Sequence, residues 1–218
     1  MEKLIQRRLH RRDFQKLALV LPAPLALAAL MGRGAGIALA QTPDATTTPM
    51  LVPTPECGDA DDLAATVAQT AGPFYTPDTP ERRSLLEPGM PGTPLVVTGY
   101  VYSTECQPVA GALLDFWQAD DAGVYDNEGY RLRGHQFAGE DGRFELETIV
   151  PGLYPGRTRH IHVIAQAPNQ PVLTTQLYFP DEPANARDGI FNPALTLDVQ
   201  DDANGEVAYF TFVLPITQ

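Results

Sequence analysis

The second half of the chain contains short runs in which apolar and polar residues alternate, each ending at a turn signal. A period of two is typical of β-strands that bury one face. Turn-forming dipeptides such as Asp141-Gly142 and Asn204-Gly205 lie at the boundaries of these runs. The predicted strands cover residues 95–103, 112–119, 142–149, 159–166, 173–179 and 206–214.

The predicted strands follow one another with no long amphipathic helix between them. Short strands joined directly by turns favour an antiparallel sandwich or barrel. The 18 Gly and 21 Pro residues agree with a chain of strands and turns. We therefore expect an all-β protein, an antiparallel β-sandwich with long irregular loops. Residues 63–92, which contain five prolines, are predicted to be irregular.

The N-terminus has a different composition, which predicts an export signal over residues 1–40. Residues 11–16 read Arg-Arg-Asp-Phe-Gln-Lys, an apolar stretch covers 17–31, and Ala-Leu-Ala at 38–40 provides a cleavage site of small residues. The basic stretch resembles a twin-arginine signal. Ordinary secretion and an uncleaved anchor are alternatives, but the apolar stretch is short for a bilayer and contains two prolines. We expect an exported protein, periplasmic or extracellular, without a stable membrane anchor after cleavage.

The remainder of the chain divides into a flexible linker over residues 41–62, rich in Thr, Pro and Asp, and a folded domain over residues 63–218.

Seven of the 15 basic residues lie in residues 1–40, which leaves eight, all Arg, against 25 acidic residues in 41–218. Such an acidic surface repels phosphate backbones, so nucleic-acid binding is not expected.

The most informative pair of residues is His160 and His162, in a predicted strand. Side chains two positions apart on a strand share a face and lie about 6–7 Å apart along it. The apolar residues that follow predict a buried strand, and buried imidazoles need partners, which a metal ion provides. Two histidines on a solvated face are the alternative. A cupin-like site would need a glutamate where Gln166 stands, and no suitable carboxylate for a two-histidine, one-carboxylate iron site is evident.

Two tyrosines are better placed as further ligands. Tyr125 follows a predicted strand in one turn, and Tyr154 precedes the strand of His160 in another. Phenolate oxygen is a hard anionic donor that suits a hard ion such as Fe(III). Simple packing with a hydrogen-bonded hydroxyl is the alternative for each tyrosine.

Five motifs follow one another along the chain: Gln-Thr-Ala-Gly-Pro-Phe-Tyr at 69–75, Asp-Phe-Trp-Gln-Ala-Asp at 115–120, Gly-Val-Tyr at 123–125, Pro-Gly-Leu-Tyr-Pro-Gly-Arg-Thr-Arg-His-Ile-His at 151–162, and Leu-Thr-Thr-Gln-Leu-Tyr-Phe at 173–179. Together they resemble one enzyme family, the intradiol ring-cleavage dioxygenases, which includes protocatechuate 3,4-dioxygenase and catechol 1,2-dioxygenase. The resemblance covers residues 66–214, and the short exported members fit better than those with a helical N-terminal domain.

The resemblance implies a mononuclear non-haem Fe(III) that cleaves a catechol-type aromatic with O2 between its two hydroxylated carbons. The product would be a cis,cis-muconate. The implied metal ligands are Tyr125, Tyr154, His160 and His162. Arg157 and Gln176 take the catalytic positions, and Phe74 takes a substrate-binding position. A secreted binding module that keeps the sandwich without turnover is the alternative function.

The resemblance leaves several features open. The segment between Tyr154 and His160 has five residues and lacks the longer insert of the family's well-known enzymes, so a protocatechuate preference is not implied. His135 matches no family ligand and is expected to be a surface or supporting histidine. Related enzymes associate, so a homo-oligomer is compatible with the resemblance.

In an oxidising compartment Cys57 and Cys106 are expected to form a disulfide, with two free thiols as the alternative.

Overall fold

The structure, a computed structural model, describes residues 63–216 and contains two four-stranded sheets. Sheet 1 has the strand order β4-β1-β8-β7, and sheet 2 has the order β3-β2-β5-β6. The strands are β1 (Pro94–Ser103), β2 (Leu113–Trp117), β3 (Arg133–Phe137), β4 (Arg143–Ile149), β5 (His160–Gln166), β6 (Leu173–Tyr178), β7 (Asp198–Asp202) and β8 (Gly205–Leu214). Two short 3-10 helices, Pro183–Arg187 and Pro193–Leu195, lie between β6 and β7.

The predicted all-β sandwich is confirmed, with two differences in detail. Most neighbouring strands pair antiparallel, but β1 and β8 pair in parallel in the middle of sheet 1. Strands β3 and β7 were not predicted. The β3 residues Arg-Gly-His-Gln-Phe carry no β-branched side chain, and the exposed edge strand β7 reads Asp-Val-Gln-Asp-Asp. Their pairing comes from the neighbouring strands and not from their own propensity.

The main hydrophobic core lies between the two sheets. In sheet 2, Leu114 and Phe116 of β2 and Ile161 and Val163 of β5 are fully buried and belong to this core. Sheet 1 contributes residues such as Phe212. Burial of such side chains stabilises a fold by about 1.5–3 kcal/mol each relative to exposure. The alternating pattern that predicted the strands therefore marks their core-facing side.

The opposite face of sheet 2 is buried as well. Because side chains alternate along β5, His160 and His162 face away from the core that Ile161 and Val163 fill. A second, smaller apolar cluster on this outer face contains Trp117 and Tyr125 with several half-buried neighbours. Strand β5 is thus covered on both sides, which explains its nearly continuous burial.

The irregular segment before β1 provides this cover. Its start is bonded to sheet 1, where the Thr66 amide donates to the Val213 carbonyl (2.9 Å). It then follows the free edge of β6, where the Gln69 amide donates to the Thr174 carbonyl (2.7 Å). Further along, short bridges at Glu81 and Ser84 join it to β3 and β4, one strand from each sheet. The proline-rich segment therefore wraps the sandwich, and its middle residues lie over the outer face of sheet 2.

The predicted export signal (1–40) and linker (41–62) lie outside the described residues, so both stay predictions. Between residues 63 and 216 the structure contains no helix with the length and apolar character needed to span a membrane.

Candidate metal centre

Strand β5 places the two histidines of the His-x-His motif so that their ring nitrogens converge. The Nε2 atoms of His160 and His162 lie 3.1 Å apart, and both side chains are buried. Burial lowers the pKa of His160 to about 4. Burial, followed by the neighbouring His160, lowers the pKa of His162 to about 2. Both imidazoles are therefore neutral at neutral pH, which is the form that binds metal ions.

Tyr125 adds a third donor atom to this pair. It lies in the loop after β2, and its hydroxyl oxygen is 3.2 Å from His160 Nε2. The side chain is 6% exposed, and burial raises the pKa of its phenol to about 12. A buried phenol ionises readily only next to a cation, so this site favours phenolate when a multiply charged metal ion is bound.

The hydrogen bonds of the two rings fit a bound cation. His160 Nδ1 lies 2.6 Å from the Thr158 carbonyl oxygen, so Nδ1 carries the hydrogen and Nε2 presents a lone pair. That lone pair faces His162 Nε2 and the Tyr125 oxygen. One metal ion could bind His160 Nε2, His162 Nε2 and the Tyr125 oxygen at the same time, whereas one shared hydrogen could join only two of these atoms.

Tyr154 lies beside these three groups, on the neighbouring loop. Its ring centroid is 5.8 Å from that of Tyr125, at an interplanar angle of 74°. The two tyrosine loops pack backbone against backbone, and the Gly152 amide donates to the Asp120 carbonyl (2.7 Å). A Cβ atom built on Gly152 would overlap the Asp121 carbonyl. This glycine therefore allows the close approach that puts both phenols at one site.

Aromatic side chains from the wrapping segment and from β2 enclose the donors. Phe74 stacks on Tyr125 at 4.6 Å between ring centroids and meets the Tyr154 ring edge-on at 5.4 Å. Trp117 stacks on His162 at 4.8 Å with the rings nearly parallel. Such walls exclude water and strengthen electrostatic interactions within the site.

A polar network joins the histidine strand to the 3-10 segment. Arg157 donates from Nη2 to the Gln176 side-chain oxygen (2.6 Å) and from Nε to Asp188 (2.9 Å). Gln176 is fully buried, lies opposite His162 in the β5–β6 register and donates to the Thr70 carbonyl (2.8 Å). The network therefore holds the Arg157 guanidinium and the Gln176 amide in place, and Gln176 is the strand partner of His162.

A cavity of about 440 Å³ is lined by Tyr154 and Arg157, whereas Tyr125, His160 and His162 do not line it. Its volume falls within the range of small-molecule sites. Tyr154 is half-buried where Tyr125 is almost fully buried, so Tyr154 is the phenol that a ligand in this cavity would meet first. The lining residues are Leu153, Tyr154, Pro155, Gly156, Arg157, Ala184, Arg187 and Asp188.

The structure brings the seven predicted site residues into one region, as direct contacts or through the network: Phe74, Tyr125, Tyr154, Arg157, His160, His162 and Gln176. His135 lies elsewhere. It is paired with Asp115 across β2 and β3, and its Nδ1 is 2.8 Å from the Thr79 carbonyl oxygen. Cys106 lies in the turn after β1 and is disulfide-bonded. Cys57 lies outside the described residues, so the Cys57–Cys106 pairing stays a prediction.

Sequence analysis missed a residue that organises the site, the fully buried Arg133 of β3. Its guanidinium donates to the Phe74 carbonyl (2.6 Å) and, with Nε and Nη2, to the Asp126 carbonyl (3.0 and 2.6 Å). It thereby links the wrapping segment to the loop that carries Tyr125. Burial lowers the pKa of Arg133, but Arg stays charged at any ordinary pH. An arginine within a predicted loop gave no signal of burial.

The site thus consists of three converging donor atoms, from Tyr125, His160 and His162, with the Tyr154 ring beside them. Residues 70–212 match the family model described as Dioxygenase. The chain therefore belongs to this family, the intradiol ring-cleavage dioxygenases, which uses non-haem iron.

The relatives agree with this assignment. Hydroxyquinol 1,2-dioxygenase of Rhizobium sp. (strain MTP-10005) is 32% identical over 154 residues, which cover 58% of this chain and 52% of the relative. The chain spans about half the length of the curated relatives it matches.

Two solved structures extend the comparison. One is the dioxygenase domain of a dioxygenase carbohydrate-binding protein fusion from the cellulolytic bacterium Streptomyces sp. SirexAA-E, which is 56% identical. The TM-score is 0.69, and the match covers 71% of this chain and 100% of that chain. The other, 3-chlorocatechol 1,2-dioxygenase from Rhodococcus opacus 1CP, is 30% identical. Its TM-score is 0.64, with 70% and 73% covered.

Proposed function

We propose that this protein is an intradiol ring-cleaving dioxygenase. It inserts O2 between the two hydroxylated carbons of a catechol-type aromatic, using non-haem Fe(III), and releases a cis,cis-muconate. The observation that carries the proposal is the convergence of the Tyr125 oxygen, His160 Nε2 and His162 Nε2, with neighbouring distances of 3.1 and 3.2 Å. Membership of the dioxygenase family supports it.

The proposed iron ligands are Tyr125, Tyr154, His160 and His162. Two phenolates and two neutral imidazoles form a donor set of hard and intermediate ligands with a net charge of −2, which suits Fe(III). The iron, when bound, acts as a Lewis acid that favours the doubly deprotonated catechol and as a template for the ring and O2.

The other side chains have separate tasks in this proposal. The Tyr154 phenolate oxygen is assigned one of the two protons that the catechol loses, because Tyr154 is the phenol that lines the cavity, and the second proton leaves to solvent. Arg157 supplies a fixed positive charge, held by Asp188 and Gln176, where negative charge develops on the aromatic oxygens. Phe74 packs on the rings of Tyr125 and Tyr154 and in this proposal helps to hold the two phenols in place.

The substrate class follows from the cavity and from the relatives. The cavity combines apolar walls at Leu153 and Pro155 with the cation Arg157, which suits a small aromatic diol. The relatives carry names that refer to hydroxyquinol, catechol and chlorocatechol. We therefore expect turnover of a single-ring catechol, and the substituents that are preferred have to be found with a substrate panel.

The test uses purified protein loaded with iron. We expect one iron per chain and a broad visible band from tyrosinate-to-iron charge transfer. O2 consumption with catechol, hydroxyquinol, protocatechuate and a lignin-derived diol is then followed, and the product is identified by mass as substrate plus O2.

Two results would contradict the proposal. If the purified protein binds no iron, the proposed metal centre is wrong. Protein that binds iron and shows the visible band, yet consumes no O2 with any catechol, would instead support the alternative of a secreted binding module related to the family.

We also propose export by the twin-arginine route, on the strength of residues 1–40, followed by oxidation of Cys57 and Cys106 to a disulfide. Replacing Arg11 and Arg12 by Lys should retain a fused reporter in the cytoplasm. Mass analysis of the exported, unreduced protein should find both cysteines in one cross-linked peptide pair. Unchanged export of the double-Lys variant would contradict the route.

A further inference from the structure

Asp188 follows the 3-10 helix Pro183–Arg187, and its carboxylate is almost completely buried, with 2% of the side chain exposed. One carboxylate oxygen accepts from Arg157 Nε (2.9 Å) and from the Thr158 amide (2.8 Å). The other accepts from the Ile190 amide (3.1 Å). Three donors on one buried carboxylate make a rigid anionic support.

The guanidinium of Arg157 is consequently held on two sides. Nε is bonded to Asp188, and Nη2 is bonded to Gln176. Within the described part of the chain, Nη1 forms no hydrogen bond, and Arg157 lines the 440 Å³ cavity. The planar fork of an arginine keeps one orientation when two of its nitrogens are fixed.

Gln176 completes the support from the other end. Its side-chain nitrogen donates to the Thr70 carbonyl (2.8 Å), and its oxygen accepts from Arg157 (2.6 Å). The Tyr178 hydroxyl has its shortest acceptor at the Gln69 side-chain oxygen (2.6 Å), and its oxygen also lies 3.1 Å from the Gln176 side-chain oxygen. The carboxylate, the guanidinium and the amide therefore form one connected unit.

We propose that Asp188 is a positioning residue for the reaction assigned above, and that it acts by orienting the Arg157 guanidinium toward the bound aromatic. This inference rests on the proposed function. Asp188 acts in it through Arg157 and is assigned no proton transfer. Its contribution appears only where Arg157 stabilises charge in the transition state, so loss of Asp188 lowers kcat more than it raises KM.

The variant that tests this is Asp188→Asn, which keeps the shape of the side chain and removes the charge. We expect kcat for catechol to fall about 10- to 100-fold, the range expected when a charged group is misplaced by about 1 Å. KM should change less than about threefold, because KM then reflects binding that does not depend on Arg157. The matched control is Glu182→Gln, which breaks the nearby ion pair of Arg159 and Glu182 (3.2 Å) and should leave kcat unchanged.

A double-mutant cycle separates positioning from a merely structural role. In an Arg157→Gln background, Asp188→Asn should lower kcat less than about twofold, because its target is already absent. A second readout needs no turnover. The Nε–H resonance of Arg157, assigned by its absence in Arg157→Gln, should shift and exchange faster in Asp188→Asn but not in Glu182→Gln.

The outcomes distinguish this inference from the function on which it rests. Wild-type protein that turns over no catechol would remove the proposed function and the inference together. Wild-type turnover with an unaltered Asp188→Asn kcat would overturn the inference alone. The inference alone would also be overturned if Asp188→Asn and Arg157→Gln lowered kcat by independent factors that multiply in the double variant. An Arg157 Nε–H resonance that is unchanged in Asp188→Asn would overturn it as well.

Discussion

The hydroxyl oxygen of Tyr125 and Nε2 of His160 lie 3.2 Å apart, in the interior of the cluster on the outer face of sheet 2. Tyr125 comes from the loop after β2, and His160 is the first residue of β5. Because β2 and β5 are hydrogen-bonded neighbours, with Trp117 opposite His162, the loop leaves β2 next to the histidine pair. The contact is therefore a consequence of strand pairing.

The first prediction concerns Tyr125 as a proposed iron ligand. Replacing Tyr125 by Phe removes a buried donor oxygen without changing the shape of the ring, so we expect at least about a tenfold loss of iron affinity. The visible absorption band should weaken or shift with it. Titration with iron, followed at the band maximum, measures both effects. Tyr100→Phe is the control, because Tyr100 lies on β1 in the other sheet. A Tyr125→Phe protein with the wild-type band and affinity would exclude Tyr125 as a ligand.

The second prediction concerns the two loops that carry the tyrosines. An Ala at position 152 would place its Cβ against the Asp121 carbonyl, so the loops must move apart. We expect a loss of about 1–3 kcal/mol in unfolding free energy, as for other overpacked sites, together with reduced iron content. Denaturant unfolding and metal analysis measure these two quantities.

The control for this substitution is Gly189→Ala, because a Cβ built on Gly189 meets no atom within 4 Å. It should leave iron content and stability close to wild type. Full iron content in Gly152→Ala would show that the loop contact does not set the spacing of the two phenols.

The third prediction concerns the core between the sheets. Phe116 is fully buried in β2 and packs against Phe144 of β4, with ring centroids 6.1 Å apart. Phe116→Ala should cost about 3–5 kcal/mol of unfolding free energy, because it removes buried surface and leaves a cavity. Val172→Ala, at a residue 55% exposed, should change stability by less than about 0.5 kcal/mol. Equal effects of the two substitutions, measured by chemical denaturation, would contradict this placement of the core.

The fourth prediction concerns the pH dependence of stability. Although burial opposes it, the amides of Thr158 and Ile190 and the Arg157 guanidinium hold the pKa of Asp188 below its ordinary value of 3.8. A carboxyl group whose pKa is lower in the folded state contributes stability above its unfolded pKa and loses it as the pH falls through the folded pKa. The stability difference between wild type and Asp188→Asn should therefore be constant from pH 7 to about 5 and shrink below about pH 4. Urea unfolding across this range measures the difference. A constant difference down to pH 3 would show that the carboxylate is not held in this way.

Much of the fold followed from local pattern. The six predicted strands correspond to six observed strands, and their ends differ by no more than two residues. Strands β3 and β7 were not predicted, because their residues have little β-propensity and form a strand only by pairing with a neighbouring strand. The parallel pairing of β1 with β8 joins the first and last strands, and no local pattern encodes it.

The family and the candidate site of this protein could be predicted from its residues alone: a His-x-His pair on one strand face, tyrosines in two turns, and ordered motifs typical of one family. The spacing of residues along a strand is a local property, so it can be read directly from the sequence. The tertiary structure alone decided that the histidines face a second, covered side of sheet 2, that Arg133 and the proline-rich segment enclose them, and that Asp188 holds Arg157. Those relationships join residues far apart in the chain, and only the packing of the two sheets and the path of the irregular segment bring them together.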